Sequence, residues 1–314
     1  MLKYILRRLL LVIPVMLFVS FVVFSILDFL PSDAARIAAG EHAISEVIEY
    51  YEEVMGLNDP FFERYFRWLS NFILNQHLGY SIMGGFPIMP VVLMSLSTTL
   101  RIMLIATLVS FIIGVPVGII SAVKQNSLFD RVGMVFAIIG ASMPSFWQAL
   151  LLHILIVALV RLDLLSWEVL RLRNNPLFLV TGAIILGLSS TAIVARMTRS
   201  SILEEVYQDY IRTSRAFGQT ERRIVLKHAL KNALIPIITL VGLNFGYLLL
   251  GSISFEIVFR LSGAGTLLLG AIASRDYPLL MGIILMFSLI FSILNLLVDL
   301  LYAVVDPRIR THYE

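Results

Sequence analysis

The chain has 314 residues, a mean hydropathy of +0.90, 59% hydrophobic residues and only 14% charged ones, an apolar excess that excludes an ordinary soluble domain and points to a bilayer. It contains no cysteine, which excludes a disulfide framework and thiol or Cys-based metal chemistry. The net charge of +3 is small, so its placement carries more information than its size.

In chain order, six apolar runs stand out: roughly Leu9–Leu27 after Lys3, Arg7 and Arg8, then Leu100–Val123, Val132–Val160 with a break at Pro144, Leu177–Ala195, Ala233–Phe255 and Leu279–Val305. Each is near or above the ~20 residues that cross ~30 Å of hydrocarbon. A backbone there must satisfy its own hydrogen bonds, so helices are expected. The first run also has the basic start and apolar core of a cleaved signal, with Ser32, Ala34 and Ala35 behind it. Its apolar stretch is longer than a signal core, and it is read as a retained anchor. Lys and Arg near the span ends put Met1–Arg8, Lys124–Arg131, Arg196–Asn232 and Asp306–Glu314 in the cytoplasm, with both termini there. Arg196–Asn232 carries eight Lys or Arg against four acids, whereas the outer segment from Pro31 to about Ser97 has three Arg against eight acids. The outer loop Arg161–Pro176, with three Arg and two acids, runs against the rule without reversing the sum.

Within the outer segment, Val47, Tyr51, Val54 and Met55 share a helical face that Gly56 ends. Phe61, Tyr65, Trp68, Leu69 and Phe72 make a second stripe. Two short helices packing on the membrane domain account for this pattern; a docking surface for an external partner is the other reading.

The stretch Asp209–Pro236, "DYIRTSRAFGQTERRIVLKHALKNALIP", holds six Lys or Arg between two apolar runs. Before Gly218, Tyr207, Tyr210, Ile211, Ser214 and Phe217 fall on one helical face, opposite Gln208, Arg212 and Arg215. Gly218 ends that helix, because glycine tolerates backbone angles other residues avoid. Thr220 is the expected N-cap of a second helix, with Glu221 in its first turn. There Arg223, Lys227 and Lys231 form a basic stripe, and Val225, Leu226, Ala229, Leu230 and Ala233 an apolar one. Three readings of this helix–Gly–helix stay open: an anchor on anionic lipid, an internal packing element, or an elbow that inserts into a cytoplasmic partner.

Catalytic patterns are missing. There is no Gly-x-x-x-x-Gly-Lys-Ser/Thr phosphate loop and no His-Glu-x-x-His. The five His do not cluster at ligand spacing, and Gly187-Leu188-Ser189-Ser190 lacks the last Gly of a nucleophile elbow. Ionisable residues in the spans are few, which weakens an ion-coupled carrier. Arg101 sits at the outer rim of the second span, where it snorkels; His153 reads as a satisfied interior histidine, and Asp299 as one half of an ion pair. The fifth span carries Gly242, Asn244, Gly246, Gly251 and Ser252, a pattern that suits close helix packing, a solute path, or both. With Ser142, Pro144 and Gln148 of the third span, Asn244 and Gly246 are the candidate path residues.

The 209–236 stretch resembles the "EAA" loop of membrane subunits of binding-protein-dependent ABC importers. More closely, it is similar to the loop of the B-type permeases for dipeptides, oligopeptides and nickel. Tyr210, Thr213, Arg215, Ala216 and Gly218 match that pattern, as do His228, Asn232 and Pro236. Ser214 stands where Ala is usual, Phe217 where Lys is usual, and Arg212 where the general motif has Glu. Further words follow in family order: "MLKYILRRLLLVIP", "GLNDPFFERYFRWL", "LGYS", "SMPSFW", "ARMTRSSILEEVYQDYIRT", "FEIVF", "SRDYPLL" and "VDLLYAVVDPRIR". The resemblance implies an all-α, type I importer transmembrane domain of about six helices. It implies a first helix with its tip at 1–30, an external helical segment at 31–98, a core at 99–305 with a coupling loop at 197–233, and a tail at 306–314. Tyr210, Arg212, Thr213, Ser214, Arg215, Ala216, Phe217 and Gly218 then form the coupling element, supported by Glu221, His228 and Asn232. The implied partners are a second permease subunit, two cytoplasmic ATPase subunits that use the ATP, and an extracytoplasmic solute-binding protein. No cofactor, metal or nucleic acid is expected on this chain. The implied cargo is a di- or oligopeptide, with nickel or metal chelates and glutathione as alternatives within the class. A stand-alone channel or secondary carrier is the alternative outside it.

Overall fold

The computed structural model describes residues 2–29, 34–40, 42–75, 77–171 and 174–305. The expected tail at 306–314, Ser32, Arg173 and the last residues of the "VDLLYAVVDPRIR" word lie outside them. Among the described residues the structure is helical, with one isolated antiparallel bridge between Tyr80 and Pro87. In chain order the helices are α1 (Leu2–Phe29), α2 (Ala34–Ala39), α3 (Ser45–Met55), α4 (Phe61–Asn75), α5 (Ile88–Val123), α6 (Leu128–Ser142), α7 (Ser145–Arg161), α8 (Glu168–Arg171), α9 (Pro176–Val206), α10 (Asp209–Ala216), α11 (Glu221–Arg223), a π-helix (Ile224–Ala229), α12 (Leu230–Val258), α13 (Ala264–Ala273) and α14 (Tyr277–Val305). Among the described residues, five helical stretches are long and apolar enough to cross a membrane, and the bent pair α6–α7 makes a sixth if it is one span.

The break in that pair follows from Pro144. A residue before proline is pushed out of the helical region, and Met143 is extended at φ −81° and ψ 123°. Pro144 then starts α7 instead of kinking a continuous helix. The carbonyls orphaned at the end of α6 are partly met by Gln148, whose Nε2 donates to Met143 O at 2.8 Å and to Gly140 O at 3.4 Å.

The chain divides into two compact units. The first holds Thr99–Leu261 and α14 from Ile293 onward. Here α9 packs on α6 and α12, and α12 on α7. α5 approaches α9 backbone to backbone: a Cβ on Gly187 would stand 2.6 Å from Ala106 O, and one on Gly118 would stand 2.5 Å from Ala195 O. Arg199 of α9 grips Asp130 of α6 through two bonds of 2.8 and 2.9 Å. The buried carboxylate also accepts from Asn126 N, so its charge is paired and hydrogen-bonded. His153 is packed rather than satisfied: its ring lies against Phe178 and Phe259, and its buried Nδ1 has no partner among the described residues.

The second unit holds Leu6–Thr98 and Ser262–Ser292. The second aromatic stripe packs as a core. Tyr65 is buried on α1, where its hydroxyl lies 2.9 Å from Ser20 Oγ, and Trp68 stacks on Phe72 at 5.7 Å. The first stripe does not: α3 packs on α2 but leaves Val47 and Val54 exposed. Gly56 ends α3 in the left-handed conformation at φ 63°. Asp276 is buried before α14; it accepts from Ser81 Oγ and, at 3.3 Å, from the backbone N of Ile82 and of Leu279.

Candidate functional site

Two features of the first unit carry the candidate residues. The first is the 209–236 segment. α10 ends at Ala216, and Gly218 turns the chain at φ +72° with nothing within 4 Å of where a Cβ would stand. Only the backbone angle asks for glycine there. Thr220 holds the N-cap backbone position, but its side chain makes no capping bond. Glu221 instead reaches back across the turn and takes both Arg215 Nε, at 2.6 Å, and Arg215 Nη2, at 3.2 Å. His228 Nε2 lies 2.8 Å from Gln219 Oε1, which ties the turn to the following helix.

At the base, Tyr210 Oη donates to Glu205 Oε2 and accepts from Asn232 Nδ2 at 3.0 Å. Burial, followed by the neighbouring Glu205 carboxylate, pushes the phenol up to about 12. Thr213 and Ser214 turn their hydroxyls back onto the α10 backbone at Asp209 O and Tyr210 O. Ile211 is fully buried with Ile224 and Ala229. The outer face is bare: Phe217 is 81% exposed, Tyr207 64%, and Arg212 and Ala216 are exposed as well. Tyr207, Ile211 and Phe217 therefore do not share one environment, as a single amphipathic face implies.

The second half also departs from the expected period. Ile224–Ala229 is a π-helix, whose hydrogen bonds span five residues instead of four and widen the turn. It buries Ile224, Val225 and Ala229 and leaves Leu226 46% exposed, whereas the helical stripe has Leu226 inside and omits Ile224.

The second feature is a cavity of about 280 Å³ between α6, α7, α9 and α12. Gln148 and Asn244, both buried, line it. Ser142, Pro144 and Gly246 are not among its lining residues; the Ser142 hydroxyl bonds its own helix at Ile138 O. Ser189 and Ser190 of α9, Ser145 of α7 and Tyr247 of α12 line it and were not among the candidates. Ser189 Oγ donates to Gln148 Oε1 at 2.5 Å, so this wall is polar but uncharged. Gly242 serves packing: a Cβ there would stand 2.7 Å from Val298 Cγ2 of α14. A buried acid lies just past the fifth apolar run. Glu256 is fully buried and accepts from Thr99 Oγ1 at 2.6 Å.

A multi-pass helical membrane protein with a braced polar elbow between two spans and an uncharged cavity in its helix bundle is built as a transport subunit. Residues 114–311 match the family described as "Binding-protein-dependent transport system inner membrane component", and residues 1–103 match its N-terminal companion, the "membrane comp, N-term" family. The chain belongs to this family of inner-membrane permease subunits of ABC importers. It is 39% identical over 310 residues to the glutathione transport system permease protein GsiC of Pectobacterium atrosepticum, covering 99% of each chain. It is likewise 39% identical over 338 residues to the dipeptide transport system permease protein DppB of Alkalihalophilus pseudofirmus, covering 99% of this chain and 100% of that one. GsiC of Escherichia coli K12 is 37% identical over 310 residues, again with 99% of each chain covered.

Proposed function

We propose that this chain is one of two permease subunits of an importer for short peptides, and that the 209–236 elbow transmits ATP-driven motion to it. The elbow seats in a groove on one of two cytoplasmic ATPase subunits, which bind and hydrolyse the nucleotide. An extracytoplasmic solute-binding protein delivers the solute, and both termini of this chain are cytoplasmic. ATP binding in the partner shifts the population between two permease states, and only a partner that grips one state better can do so.

One observation carries this reading: Phe217 is a large apolar side chain that is 81% exposed on an elbow already braced by Glu221, His228 and Asn232. An internal packing element buries such a ring. A lipid-surface anchor has no use for a braced turn. A rigid elbow with a bare aromatic tip suits a protein groove, where aromatic residues anchor interfaces. Arg212, Thr213, Ser214, Arg215 and Ala216 set its remaining surface, while Tyr210 and Gly218 set its shape.

For the cargo, the named systems of the relatives carry dipeptides and glutathione, itself a tripeptide, which supports short peptides as the class. The uncharged wall at Gln148 and Ser189 suits amide groups, which every peptide offers regardless of its side chains. To test the subunit reading, the tagged chain is purified in mild detergent and assayed for ATP hydrolysis. A second six-span protein and ATPase subunits should accompany it; a chain that emerges alone or as a homo-oligomer without ATPase contradicts it.

A further inference from the structure

A cleft of about 600 Å³ opens in the second unit between α1, α3, α4 and the start of α14, a size that suits a small ligand. Its lining carries both signs of charge: carboxylates from Asp28 and Glu52, and guanidinium groups from Arg64 and Arg67. Trp68 and Asn71 extend the Arg64 face of α4 at helical spacing. Part of this charge is already matched. Arg64 pairs with Asp28 at 2.6 Å, and Arg67 bonds Asp59 and lies 3.8 Å from Glu63.

Two groups are left open. Arg64 Nε is buried with no hydrogen-bond partner among the described residues, an expensive state for a charged donor. Glu52 lines the cleft, and its carboxylate forms no ion pair among the described residues. A simple anion meets repulsion from Asp28 and Glu52, a simple cation meets it from the arginines, and an apolar ligand leaves all four charges desolvated. A molecule with an ammonium at one end and an oxyanion at the other meets Glu52 and the arginine face together, and a small shift of the Arg64 side chain on binding brings its shielded Nε to the oxyanion.

We propose that this cleft binds a short zwitterionic solute by its two ends, the ammonium at Glu52 and Asp28 and the carboxylate at Arg64 and Arg67. The proposal rests on the short-peptide reading above. It adds to the neutral cavity a site that reads the free termini. A phosphatidylethanolamine headgroup has the same pair of charges, so the test separates peptide from lipid.

The complete importer, without its external binding protein and without nucleotide, is placed in nanodiscs of phosphatidylglycerol alone. Binding of tritiated trialanine is measured by equilibrium dialysis. Saturable binding is expected, with no competition from N-acetyl-trialanine amide, whose ends are blocked. Glu52→Gln, at a side chain without an ionic partner, should weaken binding about tenfold. Arg64→Lys keeps the charge beside Asp28 but removes the Nε donor, and should weaken it comparably. Equal competition by the blocked peptide, or wild-type binding in both variants, overturns the proposal. So does finding no trialanine binding while phosphatidylethanolamine co-purifies with wild type and not with Glu52→Gln, which assigns the cleft to lipid. Uptake of trialanine by vesicles with the binding protein runs alongside. Uptake without cleft binding sinks the cleft alone, and absence of both sinks the peptide reading with it.

Discussion

Asn232, in the first turn of α12, donates to Tyr210, in the first turn of α10, at 3.0 Å. The same phenol donates to Glu205 in the last turn of α9. One hydroxyl thus ties three helices at the base of the elbow. Tyr210→Phe removes both bonds and should cost the elbow about 1 kcal/mol without affecting membrane insertion. In inside-out vesicles, tryptic cleavage after Arg212 and Arg215 should speed up and ATP-driven uptake should fall. The pH dependence follows from the direction of the shift. The folded phenol ionises near 12 against an ordinary 10.0, so its contribution is complete below pH 10 and is lost as pH rises toward about 12. Tryptic protection of the elbow should therefore be flat through neutral and mildly alkaline pH.

Gly218 has free space around it but a left-handed backbone, so side-chain shape should matter less than conformational preference. Val there should cost roughly 1–2 kcal/mol and abolish uptake at normal membrane abundance, while Asn, which tolerates that region, should retain most of it. Equal loss in Asn and Val variants would point to a lost close contact instead.

The π-helix holds one residue more than an α-helical path needs. Deleting the exposed Leu226 should restore α-helical winding without turning the elbow against α12, because the wide π-turn already absorbs the extra residue. Abundance and ATPase co-purification should both stay near normal. Lost co-purification would mean that the wide turn itself shapes the docking surface.

Gln148 joins the end of α6 to Ser189 of α9. Replacing it with Ala leaves the Met143 carbonyl short of a partner and returns the Ser189 hydroxyl to Ile185 O of its own helix, at a cost of about 1–3 kcal/mol. Thermal stability in detergent should fall, and uptake should fall further than abundance does. Ser142→Ala, whose hydroxyl bonds only its own helix, should change neither.

What the sequence discloses follows from the range of the forces involved. The apolar runs, the stop at Gly56, the turn at Gly218 and the break at Pro144 are local, and composition and backbone preference mark them. After Thr220 a 3.6-residue period puts Leu226 on the inward face, whereas the chain winds there as a π-helix and turns it outward. Glu256 carries no local signal of its burial: it lies one residue past the apolar run that ends at Phe255, and only the fold brings Thr99 to it. Ser189 and Ser190 look like ordinary small residues until α7 brings Gln148 beside them. The Arg199–Asp130 pair joins residues 69 positions apart, and no periodicity encodes such a contact. Tyr210 and Asn232 were placed by resemblance; the bond between them came from the fold.

In the proposed assembly the bare tip of the elbow sits against an ATPase subunit. The chain has no native cysteine, so Phe217→Cys gives a single attachment point. With a benzophenone maleimide at that position, irradiation of native membranes should yield one major adduct, containing an ATPase subunit, whose yield changes between ATP-bound and nucleotide-free states. Adducts confined to lipid, or to this chain's own helices, would contradict the docking account.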